Sequence, residues 1–181
     1  MSIIFDEQNK IFKLDTKTST YIFGVFTGNY LVHYYYGAPI PDTNVEKLRY
    51  RNGFASFSPD SPTAREKNFS PDVTPMEYST NGAGDFRISA FAVKNANGDT
   101  VTDLRYVSHK IYKGKKALKG LPSLYLNNDD EADTLEVLTC DKVTGAEVTL
   151  VYTVFKDYGR IIWKRKKMFK KILEYVILNV E

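Results

Sequence analysis

Hydrophobic and polar positions along this chain fall into short runs of alternating character, each closed by turn residues. IIF (3–5) is followed by the polar DEQNK and then by IFKL (11–14). STYIFGVF (19–26) and YLVHYYYG (30–37) flank TGN, a spacing that predicts a hairpin. ISAFAVKN (88–95) leads into the turn ANGD and then VTDLRYVSHKIY (101–112), while DTLEVLTC (133–140) and AEVTLVYTVF (146–155) flank DKVTG. Side chains on a strand alternate between its faces, so each run predicts a strand with one face in a core. AEVTLVYTVF is apolar at nearly every position, which fits a strand inside a two-sheet stack. No apolar helical period is present through residue 159. Many short strands without a long amphipathic helix predict an all-β fold, an antiparallel sandwich.

Two regions break the pattern. Residues 37–84 hold most of the prolines and few apolar repeats. So long an excursion in a compact domain points to function or an interface. Residues 160–181 are basic and then apolar, with no Gly or Pro. The chain therefore divides into a β domain over 1–159 and a tail over 160–181. Lys, Leu and Met favour helix, and Met168, Phe169, Ile172, Leu173 and Val176 carry i, i+3 and i+4 spacing. A helix is expected over 164–176, docked by its apolar stripe; one more strand over 160–169 is the rival reading.

Charge sharpens this division. The net charge is +3, but the tail alone holds seven basic and two acidic residues, +5, which leaves −2 on the rest. The body has no nucleic-acid footprint, and the tail is the only candidate for an anionic partner, its ordinary explanation being a solvated charge run. Aromatics make up 14%, which favours strands. Cys140 is the only cysteine, which excludes an internal disulfide and a Cys-based zinc site. No apolar run approaches the roughly 18 residues of a membrane span, so a soluble, cytoplasmic protein is expected.

Candidate chemistry is thin. His33 and His109 sit in separate strand patterns without a ligand-spaced third group, so satisfied or surface histidines are expected. NGAGDFR (81–87) and GKKALKG (114–120) have phosphate-loop composition without phosphate-loop spacing. In the first, Gly82 and Gly84 are expected to supply positive φ before a strand. Asp85 and Arg87, two apart, face the same side, which predicts a local ion pair or a cross-strand partner. NNDDEAD (127–133) lacks the glycine and final glutamate of a calcium loop and reads as a solvated hairpin tip. No spacing selects the pair of carboxylates that glycosidic cleavage uses.

An ordered series of motifs says more than any one of them. HYYYG, FSPD, NFSPDVTPMEYSTNGAGDFR, VTDLRYVSHKIYKGKKALKGLPSLY, TLEV and EVTLVYTVF follow one another along the chain. This series resembles the N-terminal domain of family 36 glycoside hydrolases, the bacterial α-galactosidases, over about residues 3–158. The resemblance implies a β-supersandwich of the galactose-mutarotase-like type, which in the family precedes a (β/α)8 barrel. The family hydrolyses terminal α-1,6-galactosides such as melibiose and raffinose with two aspartates, both in the barrel. On that likeness this chain is a non-catalytic module, and no cofactor or metal is expected. The resemblance also implies subunit contacts and a loop that forms the rim of a neighbouring active site. Tyr36, Phe54 and Lys67 are the substrate-rim candidates, standing where relatives often carry Trp, Asp and Arg. Glu77, Tyr78, Gly82, Gly84, Asp85 and Arg87 form the structural motif. Expected partners are a second copy or a catalytic barrel, with weak contact to α-galactoside sugars, and neither nucleic acid nor membrane. A free-standing carbohydrate-binding module, with Tyr34–Tyr36 as a platform, or a protein-interaction module is the alternative. Against a platform stands simple alternation of these tyrosines between core and edge.

Overall fold

The computed structural model describes residues 2–42, 44–49, 69–116, 126–155 and 160–169, the last by backbone and register with Ile161 as its described side chain. Two four-stranded antiparallel sheets face each other. β1 (Ile3–Asp6), β2 (Ile11–Asp15), β3 (Thr20–Phe26) and β4 (Tyr30–Gly37) form the first in chain order. β5 (Arg105–Lys113), β6 (Ala132–Cys140), β7 (Ala146–Phe155) and β8 (Arg160–Phe169) form the second. The all-β antiparallel sandwich read from alternation is the observed fold.

Turn chemistry sets the hairpins. Asp6 Oδ1 accepts from the backbone N–H groups of Gln8 and Asn9 after β1. Gly28 (φ 69°) and Asn29 (φ 64°) take the left-handed conformation that the tight β3–β4 turn requires. In DKVTG, Asp141 Oδ1 accepts from Val143 N at 2.8 Å, which closes the β6–β7 turn. Arg105 ties the sheets together. Its guanidinium carbon lies 3.6 Å from the Tyr30 ring centre and its Nη1 donates to the Gly28 carbonyl at 2.7 Å.

The core fills the space between the sheets. Phe12, Leu14 and Phe23 from the first meet Leu135, Val137, Val148, Leu150, Tyr152 and Val154 from the second. The Phe23 ring stacks between Phe12 and Tyr152 with centroids 4.9 Å from each. β7 is buried at every position but Thr149, as a strand with neighbours on both faces must be. The opposite face of the first sheet is covered too. Ile11 and Ile22 pack under Val45 and Ile40, and Tyr30 and Val32 under Phe69 and Met76. The proline-rich connection between β4 and β5 supplies those lids.

Three expectations are corrected. ISAFAVKN (88–95) is not a strand: among the described residues it makes a single bridge, Phe91 to Thr80. Its period-two pattern is real, since Phe91 and Val93 are buried, but no neighbouring strand supplies a ladder. The helix expected over 164–176 does not form over 164–169. There β8 pairs with β7 from Phe155↔Arg160 to Ala146↔Phe169, the rival reading, and 170–176 lie outside the described residues. The free edge of β7 offers hydrogen bonds along ten residues, and this outweighs a local helix preference. Simple alternation of Tyr34–Tyr36 is also interrupted. A bulge between Ile22 and Phe23 pairs Tyr35 with Ile22 and His33 with Phe23, leaving Tyr34 as the extra residue. Tyr34 and Tyr35 then pack against the same cluster, and Tyr36 emerges 65% exposed. Among the described residues, no helix is long and apolar enough to cross a membrane.

Candidate functional site

Two features stand out, and both come from the connection between β4 and β5. The first begins where residues 75–77 run beside β4. His33 N donates to Pro75 O at 2.8 Å and Glu77 N to Leu31 O at 3.0 Å, with Met76 bridged to Val32. Proline suits this edge because only its carbonyl is used. Met76 packs down with Val32, so alternation turns Glu77 to the other face, toward the second sheet.

There Glu77 sits with its side chain 3% exposed. Tyr21 Oη donates to it at 2.6 Å, and Tyr152 Oη, from β7, at 2.7 Å. His33 Nδ1 lies 3.5 Å from Glu77 Oε2. Burial, and then the nearby Glu77 charge, pushes the Tyr21 phenol far above the usual range, so it stays protonated and keeps donating. Above this group opens a cleft of about 360 Å³, lined by Tyr21, Tyr36, Tyr78, Tyr152, Ala90 and Ile161 around Glu77. Tyr36 stands at its mouth, its ring 5.8 Å from that of Tyr21.

The second feature is the loop that follows. Gly82 (φ 82°), Ala83 (φ 52°) and Gly84 (φ 85°) turn the backbone in the left-handed region, and Asp85 N closes on Gly82 O at 3.1 Å. Asp85, buried, receives a fork from Arg87: Nε to Oδ1 at 2.9 Å and Nη2 to Oδ2 at 2.8 Å. The same Nη2 reaches Pro71 O at 3.0 Å and pins the start of the loop. Asn81 Nδ2 donates to Thr100 Oγ1 at 2.7 Å, and Asn95 Nδ2 to Val101 O at 2.8 Å. A braced loop normally hides its large apolar residues. This one leaves Phe86 75% and Ile88 86% exposed.

The residues singled out by sequence therefore separate. Tyr36, Glu77 and Tyr78 meet at the cleft, and Gly82, Gly84, Asp85 and Arg87 build the braced loop. Phe54 and Lys67 lie outside the described residues, as does part of GKKALKG. His109 is tilted against Phe5 (4.2 Å) and edge-on to Phe12 (5.0 Å), with Nδ1 2.8 Å from Tyr106 Oη; burial pulls its pKa down. His33 instead faces Glu77. NNDDEAD contains a short 3-10 turn, Asp129–Glu131, capped by the Asn128 side chain, and runs into β6 at Ala132. Sequence reading missed Tyr21 and Tyr152, which come from 56 and 75 residues away from Glu77. The signal available was a lone acidic residue in the otherwise uncharged PMEYST. Chemically, the described lining of the cleft holds one carboxylate, already engaged by two phenols, where glycosidic cleavage takes two. Among the described residues no three His, Cys, Asp or Glu side chains cluster as metal ligands.

Comparison with known proteins relates the chain to a family. Residues 29–168 match the profile described as the glycosyl hydrolase family 36 N-terminal domain. Alpha-galactosidase AgaA of Geobacillus stearothermophilus is 40% identical over 161 residues, 89% of this chain and 22% of its own length. Alpha-galactosidase Mel36A of Lactobacillus acidophilus is 40% identical over 160 residues, 88% of this chain and 22% of its own. The crystal structure of AgaB from G. stearothermophilus superposes with a TM-score of 0.82 at 38% identity, over 94% of this chain and 23% of that one. A variant of AgaA in complex with raffinose gives 0.80 at 38%, over 89% and 22%. The chain thus spans about a fifth of the length of the relatives it matches.

Proposed function

The chain belongs to the family of glycosyl hydrolase family 36 N-terminal domains, and we propose that it works as the non-catalytic β-sandwich module of an α-galactosidase. Its role is association: it docks on a second copy or on a catalytic barrel, and through the 37–84 region it forms the rim of a neighbouring active site. The substrates served there are terminal α-galactosides such as melibiose and raffinose. AgaA, a relative, has been crystallised in variant form with raffinose. Tyr36, near the end of β4, is the described rim candidate, with Phe54 and Lys67, on the connection that follows, the others.

One observation carries the association role. The loop that exposes Phe86 and Ile88 is fixed by a bidentate ion pair from Arg87 to the buried Asp85 and by left-handed backbone at three consecutive residues. Rigid display of adjacent large apolar side chains suits a surface that will be covered. That the described lining of the cleft offers one carboxylate, bound by two tyrosines, supports the non-catalytic reading.

The test is sedimentation velocity of the chain across a wide concentration range, beside the double variant Phe86→Ser/Ile88→Ser. Association by the parent and a monomeric variant with an unchanged melting midpoint are expected. A monomeric parent overturns docking on a second copy, and a variant that associates equally well overturns the part given to Phe86 and Ile88. In parallel, purified chain is expected to leave p-nitrophenyl α-galactoside intact. Turnover that persists through purification to homogeneity rejects the non-catalytic assignment.

A further inference from the structure

Neither Phe86 nor Ile88 is among the described residues that line the cleft over Glu77, and the chemistry of that cleft is one-sided. Tyr21 and Tyr152 both donate to the carboxylate. A phenol has one hydrogen, so both are spent. What Tyr21 and Glu77 turn toward the cleft are lone pairs. Among the described residues, the only basic group within 4.0 Å of Glu77 is the His33 imidazole, at 3.5 Å. A carboxylate whose side chain is 3% exposed and has no Lys or Arg beside it among the described residues is costly to keep, and a positive charge brought into the cleft would relieve that cost. The walls favour the same guest. Tyr21, Tyr36, Tyr78 and Tyr152 are among the residues that line the cleft, and aromatic ring faces attract cations. A neutral sugar needs donors as well as acceptors from its site, and an anion is repelled.

We propose that this cleft is a binding site for an organic cation, an ammonium or guanidinium group that donates to Glu77 between the tyrosine rings. The chemistry is shared by two sources, a free amine and the side chain of a Lys or Arg presented by a protein. A volume of about 360 Å³ admits either.

The test uses the full chain labelled with 15N, with n-butylammonium, ethylguanidinium, Nα-acetyl-lysine N-methylamide, n-butanol and galactose as probes. Saturable shifts at the amides of His33, Glu77 and Ala90 are expected with the three cations and not with n-butanol or galactose. The lysine derivative binding more tightly than n-butylammonium identifies a presented side chain as the source; the reverse order identifies a free amine. Glu77→Gln is expected to weaken cation binding at least ten-fold. Tyr36→Leu, at an exposed position that leaves folding intact, is expected to weaken it about three-fold. Equal shifts from n-butanol overturn the proposal in favour of a merely apolar cleft. Saturable binding of galactose but not of cations overturns it in favour of a sugar site. Cation binding unchanged in both variants, or none at all, overturns it outright.

Discussion

In the β6–β7 hairpin, each residue from Ala132 to Cys140 pairs with one from Glu147 to Phe155, and the backbone satisfies itself along the ladder. Between residues 69 and 104 there is no such ladder. Three isolated bridges and a handful of side chains, Asn81, Asp85, Arg87 and Asn95, hold the backbone in place. Both regions nevertheless put apolar residues into the same core: Leu135, Val137 and Leu150 from the hairpin, Tyr78, Phe91 and Val93 from the connection. In the ladder, order is spread over many equal bonds, so damage to it is global. In the connection, order is concentrated in few groups, so damage is local, and the surface it displays depends on those groups.

Leu150→Ala probes the ladder side and has the largest expected effect. Leu150 is fully buried between the sheets, and truncation there costs about 2–5 kcal/mol. Denaturant unfolding is expected to shift as one transition with an unchanged slope. Arg87→Ala probes the other side and costs about 1–3 kcal/mol, because it leaves the buried Asp85 carboxylate without its fork. Limited proteolysis within 69–90 is expected before global melting. Arg87→Lys recovers only part of the loss, since an ammonium cannot span both oxygens and reach Pro71 as well. If Arg87→Ala lowers the global midpoint as much as Leu150→Ala does, without early cleavage, the two regions are not mechanically distinct.

The same contrast decides what was legible in the sequence. Hairpins such as β3–β4 and β6–β7 were readable because alternation and turn residues are local signals. The segment 88–95 was misread because period two reports burial, not hydrogen bonding: Phe91 and Val93 point inward with no ladder beside them. β8 was misread as helix because its local preference competes with an edge of β7 that no local pattern reveals. The Asp85–Arg87 pair was visible as a same-face spacing of two residues. The Glu77 cleft was not, because Tyr21, Glu77 and Tyr152 meet only through the packing of one sheet on the other.

Alkaline titration reads the seam between the two regions. Burial, followed by the Asp103 charge, pushes the Tyr30 phenol up to about 12 from an ordinary 10.0. Tyr30 stacks on Phe69 of the connection, and Tyr21, also pushed up, is held by Glu77. In both, the folded state keeps its proton where the unfolded chain has lost it. Their contribution is therefore full below pH 10 and falls as pH rises from 10 toward 12, by about 1.4 kcal/mol per pH unit for each tyrosine. Denaturant unfolding at successive pH values measures the slope, and Tyr21→Phe is expected to make it shallower. A parent whose stability is flat between pH 10 and 12 would show that the seam is open to water.

The smallest effect comes from a matched pair of glycines, one in each region. Gly82 in the connection and Gly145 in the β6–β7 turn both have positive φ, 82° and 71°. Alanine at either pays the left-handed backbone cost, about 1 kcal/mol. Their surroundings differ. A Cβ on Gly145 meets nothing within 4 Å, whereas one on Gly82 lies 2.9 Å from Val101 Cγ1 and 3.1 Å from Cγ2. Gly82→Ala is therefore expected to cost more than Gly145→Ala by about 0.5–1 kcal/mol, the strain of displacing a side chain that is 49% exposed and able to yield. Val101→Ala in the Gly82→Ala background is expected to return that excess and leave the backbone cost behind, a coupling that a double-mutant cycle reads directly. If the two glycine variants cost the same and Val101→Ala recovers nothing, the turn at residues 82–84 is as loosely surrounded as the hairpin tip, and the bracing of Phe86 and Ile88 rests on the Asp85–Arg87 fork alone.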